Sequence, residues 1–144
     1  INGCYIICLG SEALTVNTCI MGQEQLDWLK GVLDEAAETN APIFVLNHHP
    51  LYYLEGVPSD SLAKLLGNYN NVLYIHGHIH DQLGADNFKN QGGINTINLA
   101  RSTEIKDYEP GDGIVVEVYE DEIVVRVRNF IKGEWDERLV YTID

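Results

Sequence analysis

Two unbroken apolar runs, Ile43–Leu46 and Val72–Ile75, bracket a stretch of helical spacing. Short runs with β-branched members read as strands covered on both faces. Between them Leu62, Leu65 and Leu66 recur at helical spacing. Ser59 or Asp60 can cap this short helix and Gly67 suits its end. Strand, helix and strand within about 30 residues predict a βαβ unit with parallel strands and a right-handed crossover. Upstream, Leu26, Leu29, Val32, Leu33 and Ala36 make one apolar stripe of a helix over residues 23–38, flanked by Trp28 and ended by Asn40 and Pro42. Gly31 inside it costs ~1 kcal/mol relative to alanine and points to a close approach by a neighbour.

Residues 4–9 and 13–20 read as two β-runs around a Gly10-Ser11-Glu12 turn. Residues 86–93 are polar and rich in Gly and Asn, hence loop; 94–99 is strand-like; 101–113 is a second polar loop. Residues 114–119 and 122–130 form an antiparallel hairpin with Val116, Val118, Val125 and Val127 on one face, and a last strand covers 138–143 after Gly133. Strands, helix, βαβ, then all-β: the order predicts an α/β (α+β) mixed sheet with helices packed on it.

Composition narrows the function classes. A chain of 144 residues is a single domain, residues 1–144, and no apolar run is long enough to span a membrane. A net charge of −13 argues against binding a nucleic-acid backbone, and solubility is the simplest account of it. Cys4, Cys8 and Cys19, an odd number without metal-type spacing, read as buried free thiols and tilt slightly toward a reducing, cytoplasmic compartment. The chain begins at Ile1 and not at Met, so localisation stays open.

The chemistry lies in the histidines. All five follow the two apolar runs: His48 and His49 after the first; His76, His78 and His80 at the end of the second. The carboxyl ends of parallel strands are where open α/β sheets place ligands, and neutral imidazole suits first-row transition metals. Gly77 lets the backbone approach an ion closely. Neighbouring side chains on an extended segment point apart, so one of His48 and His49 is expected to be a ligand and the other structural or substrate-facing.

Asn47-His48-His49-Pro50 and Gly77-His78-Ile79-His80 resemble the last two metal-binding motifs of the calcineurin-like metallophosphoesterases. The helix carrying Gln25-Leu26-Asp27-Trp28-Leu29 and the hairpin-rich C-terminus are also similar to that family. The resemblance implies a four-layer αββα sandwich of which this chain is the C-terminal half. It implies two divalent or trivalent ions (Mn, Fe, Zn or similar) that activate a hydroxide to hydrolyse phosphate mono- or diesters. Carried over, His48 and His78 bind the second ion and His80 the first, while His76 has no ligand role. His49, Tyr52, Tyr53 and Arg101 are candidates for the substrate side.

The family's Asp-x-His, Gly-Asp and Gly-Asn-His-Asp/Glu motifs do not occur in this sequence. With them go the bridging Asp, the Asn ligand and the His that assists the leaving group, so no catalytic residue is expected within this chain. Its partner would be the N-terminal half of the same domain, and the isolated chain is expected to be inactive. Two other readings exist. The spacing of His76, His78 and His80 resembles a histidine-triad nucleotide hydrolase, although Gly77, Asp81 and Gln82 depart from that pattern and His48-His49-Pro50 is left unexplained. Alternatively the chain is a non-catalytic, degenerate homologue that binds a partner, or a second copy of itself, through an uncovered sheet edge.

Overall fold

Buried apolar runs with no local partner must pair across the chain, and here they pair in parallel. The computed structural model describes residues 2–14, 17–39, 41–101 and 111–143. In chain order its elements are β1 (Tyr5–Cys8), β2 (Cys19–Ile20), α1 (Gln23–Ala37), β3 (Ile43–Leu46), β4 (Leu54–Glu55), α2 (Ser61–Leu66) and β5 (Val72–His76). A single 3₁₀ turn at Ala85–Asn87 leads to β6 (Phe88–Gln91) and β7 (Ile94–Asn98), then β8 (Asp112–Val118), β9 (Ile123–Asn129) and β10 (Glu134–Ile143). The central sheet has the order β1-β3-β5-β7-β6, parallel except for the β6–β7 pair. A second, antiparallel sheet has the order β10-β9-β8, and β2 and β4 form a two-residue parallel ladder.

The central sheet is apolar on both faces. Ile43, Val45, Val72 and Tyr74 face the helices, where they meet Leu29 and Leu33 of α1 and Leu62 and Leu66 of α2. Phe44, Leu73, Ile75 and Ile97 face the second sheet and pack on Ile123 and Val125. Helices, mixed sheet and antiparallel sheet make three layers of an α/β sandwich. Each fully buried Leu or Ile in these interfaces is worth roughly 1.5–3 kcal/mol in transfer free energy. No described helix is long and apolar enough to cross a membrane.

Several local expectations give way to tertiary pairing. The run over residues 13–20 is strand only at Cys19–Ile20, and β2 pairs with β4, not β1. Residues 15 and 16 lie outside the described residues. Polar side chains close this segment into a loop: Ile20 N donates to Ser11 Oγ (3.0 Å) and Gly22 N to Glu12 Oε1 (2.9 Å). The expected loop at residues 86–93 contains β6, because Gly92 (φ +63°) and Gly93 (φ +93°) make a two-residue hairpin that needs positive φ at both positions. β10 begins at Glu134, ahead of the expected 138, with a register shift between Asp136 and Val140. Ile114, not the exposed Val118, joins Val116 against the core. Most of the expected loop at 101–113, residues 102–110, lies outside the described residues.

The thiols also differ from expectation. Cys19 is buried, but Cys4 is half-buried and Cys8 exposed, because the antiparallel sheet leaves that face of the edge strand β1 uncovered. Nothing approaches within 4 Å of a Cβ placed on Gly31, so no close neighbour accounts for it.

Two substitutions test this packing by urea denaturation. Leu33→Ala, at a fully buried position, is expected to cost about 2–5 kcal/mol. Gly31→Ala, which faces open space, is expected to add about 1 kcal/mol. The denaturant slope should stay constant in both; a destabilising Gly31→Ala would mean that the helix face is not open.

Candidate metal centre

The site begins where β3 and β5 end. Their parallel ladder runs on past the strands: Asn47 N donates to Ile75 O (3.1 Å) and Gly77 N to His48 O (3.1 Å). These bonds bring the two histidine loops abreast. A methyl at Gly77 would meet His48 Nδ1 only at 3.8 Å, so the approach does not by itself demand glycine. The loop after it is strained. Ile79 N donates to Gly77 O (2.9 Å), closing a three-residue turn around His78 at φ +72°, and His80 follows at φ +59°. Left-handed non-glycine residues cost of order 1–3 kcal/mol each and concentrate at functional sites.

His48, His49 and His78 each offer a ring nitrogen within 4.8 Å of the others. Ring centroids are 4.9 Å apart for His48–His49, 5.3 Å for His48–His78 and 4.7 Å for His49–His78. The expectation that consecutive histidines point apart fails because β3 stops at Leu46 and residues 48–49 lie in a bend. His49 is buried at 5% exposure, and neither ring nitrogen has a hydrogen-bond partner among the described residues. Its backbone is held from below, where the buried Tyr74 hydroxyl donates to His49 O (2.8 Å). Next to it the buried Asn47 amide reaches Cys19 Sγ at 3.8 Å.

Burial sets the protonation. Desolvation, then the neighbouring His78 and His48, hold His49 below its ordinary value. His78 is lowered by burial, then by His48 and His80. Burial also lowers His76, opposed by Gly77 O, which lies 3.0 Å from its Nδ1, and helped by His78 and His48. All three rings are therefore neutral near pH 7, with lone pairs available to a metal.

These loops open into a cleft of about 800 Å³ along the carboxyl edge of β1, β3, β5 and β7. His48, His78, His80 and Arg101 line it together, as do Cys8 and Asn47, to which the sequence motifs assign no role of their own at the site. The topology puts Cys8 there: β1 is in register with β3, so its carboxyl end reaches the same edge. Arg101 N donates to Asp81 O (3.3 Å), so Asp81 serves the loop through its backbone. Tyr52 is elsewhere, lining a separate hollow beside α2 and the β6–β7 turn. Tyr53 is the tyrosine beside the histidines, 5.8 Å from the His78 ring, because Tyr53 N bonds back to Pro50 O (3.0 Å) and turns the chain.

The donor set fits a metal of the nitrogen-liganded, borderline class. Among the described residues no carboxylate joins the group of three, so nothing in it would bridge two ions.

No family model matches the sequence, and no curated protein matches it. The fold is similar to that of a dimetal phosphatase from Danio rerio, with a TM-score of 0.59 and 20% identity over 85% of this chain and 38% of that one. The chain therefore has a dimetal-phosphatase-like α/β fold, and it spans 38% of the length of that phosphatase.

Two measurements probe the site without metal. Tyr74→Phe leaves the His49 carbonyl buried without its donor and is expected to cost about 1–3 kcal/mol of stability. Acid should also destabilise the fold. Below about pH 6.5 the unfolded chain protonates His49, His76 and His78 before the folded chain does, so stability falls as pH falls; above it both states are neutral and the slope vanishes. Urea midpoints at about pH 7.5 and about pH 5.5 check this, and a midpoint independent of pH would contradict buried neutral imidazoles.

Proposed function

We propose that this chain is part of a metal-dependent phosphoesterase that hydrolyses phosphate mono- or diesters, contributing the histidine wall of a two-metal site. One observation carries the reading. Imidazoles from two strand-end loops converge in one cleft, on a fold similar to that of a dimetal phosphatase. His48 and His78 would hold one ion and His80 the other. When bound, such ions polarise a phosphoryl oxygen and lower the pKa of an attacking water.

The chain's own residues do the positioning. Strand-end hydrogen bonds hold the imidazoles abreast, Tyr74 fixes the backbone at His49, and burial keeps the His49 and His78 rings deprotonated. Arg101 brings a cation to the cleft that suits an anionic ester, in a chain whose net charge of −13 otherwise repels one. Tyr52 has no part in this arrangement.

The bridging carboxylates and the leaving-group acid belong, in this reading, to a further segment of the same domain. Supporting it is an apolar groove of about 510 Å³ beside the edge strand β1, lined by Cys4, Ile6, Phe44, Leu46, Ile75 and Val116 among others. Leu46 and Ile75 also line the histidine cleft. A segment seated in the groove would therefore wall the metal site as well. Pairing of two copies through the same edge would show instead as a dimer of the isolated chain.

With Mn²⁺ and a chromogenic phosphodiester, the isolated chain is expected to show little or no turnover; robust turnover would overturn this division of the site. In a longer protein carrying the complementary segment, His78→Ala is expected to abolish activity and reduce bound metal from about two ions to about one. Unchanged metal content would exclude His78 as a ligand.

A further inference from the structure

We propose that His48, His49 and His78 form a three-imidazole site that binds one divalent ion of the Zn²⁺/Co²⁺ class using this chain alone, with His49 as the third ligand. The resemblance gives His49 no ligand role and uses His80 instead, on the other ion. The geometry favours His49. Its ring is 4.7 Å from His78 and 4.9 Å from His48, and one nitrogen from each residue falls within the same 4.8 Å group, which excludes His80. A zinc ion ~2.1 Å from each nitrogen spaces tetrahedral ligands about 3.4 Å apart, so nitrogens within 4.8 Å of one another must close in by up to about 1.4 Å. His48 is exposed and His78 half-exposed, so both have room to do so.

The second observation is independent. Among the described residues both ring nitrogens of His49 lack a partner at 5% exposure, whereas buried polar side chains in folded proteins are almost always bonded. His76, equally buried, has Gly77 O at 3.0 Å from its Nδ1. His49 therefore stands out as an imidazole fixed in place by its backbone, facing two others, with nothing to bond. A metal supplies the missing partner.

Three neutral nitrogens define the class of ion. Mg²⁺ and Ca²⁺ require oxygen ligands and carboxylate charge, which the group lacks. Zn²⁺, Co²⁺, Ni²⁺ and Cu²⁺ accept imidazole, and three histidines with an open fourth position are an established zinc donor set. The chain's net charge of −13 offsets part of the cost of an uncompensated dication. This site stands on imidazole geometry and does not require phosphoesterase activity; its readouts are spectroscopic.

Titrating the full chain with Co²⁺ is expected to produce the visible bands of a four- or five-coordinate nitrogen site at one ion per chain. His80→Gln should leave the bands unchanged, whereas His49→Gln should weaken binding by more than about 100-fold, beyond what loss of an outer-shell contact does. Because His49 is buried, a second measurement avoids the variant. Zn²⁺ added to the ¹⁵N-labelled wild-type chain should shift the ring nitrogens of His48, His49 and His78 but not those of His76. The proposal is overturned if the chain binds no Co²⁺, if His80→Gln and not His49→Gln removes the bands, or if the His49 ring nitrogens do not move.

Discussion

The parallel pairing of β3 with β5, continued beyond both strands, is the constraint on which the rest of the structure depends. Backbone groups leaving a sheet need partners, and here Asn47 N finds Ile75 O near the end of β5 and Gly77 N finds His48 O on the opposite loop. The first residues of each loop are thus in register before any side chain is considered. The register is set deeper in the molecule. Val45 and Tyr74 point to the helices while Phe44 and Leu73 point to the antiparallel sheet, so a one-residue slip would reverse both faces at once. The alignment of His48 with His78 is inherited from hydrophobic packing that touches neither ring.

The electrostatics of the site run against those of the chain. The protein is strongly acidic, yet the cluster is made of imidazoles, of which His49 and His78 are held below their ordinary value by burial first and by neighbouring histidines second. Neutral rings can approach closely where protonated ones would repel. The cost appears in the backbone and in hydrogen bonding: His78 and His80 sit at positive φ, and His49 is buried without a partner. Local strain and an unsatisfied donor set beside a cleft are what a ligand site retains when nothing else in the fold calls for them.

The uncovered strip along β1 belongs to the same design. The antiparallel sheet covers the central strands but leaves Ile6 and Cys8 exposed at the edge, and the groove there shares Leu46 and Ile75 with the histidine cleft. An edge strand with an apolar face is a surface prepared for pairing. Any segment seated on it would also border the imidazoles, so completing the sheet and completing the site would be one event.

Local sequence determined the elements whose signals are local. The stripe from Leu26 to Ala36 appears as α1, and the runs at residues 43–46 and 72–75 appear as β3 and β5, because helix periodicity and continuous burial are carried within a few residues. The gathering of imidazoles at strand ends was legible for the same reason. Pairing partners were not: β1 bonds to β3 and not to the neighbouring run, β2 finds β4, and β6 exists because Gly92 and Gly93 return it to β7. Nor could sequence show that Cys8 lies at the surface, that Tyr53 and not Tyr52 reaches the histidines, or that His49 turns toward His48 and His78. Each depends on where the chain bends after a strand ends and on what then packs against it, which are contacts between residues far apart in sequence. Residue type and spacing settled that the chain carries imidazoles at two strand ends; only the tertiary structure decided which of them face one another.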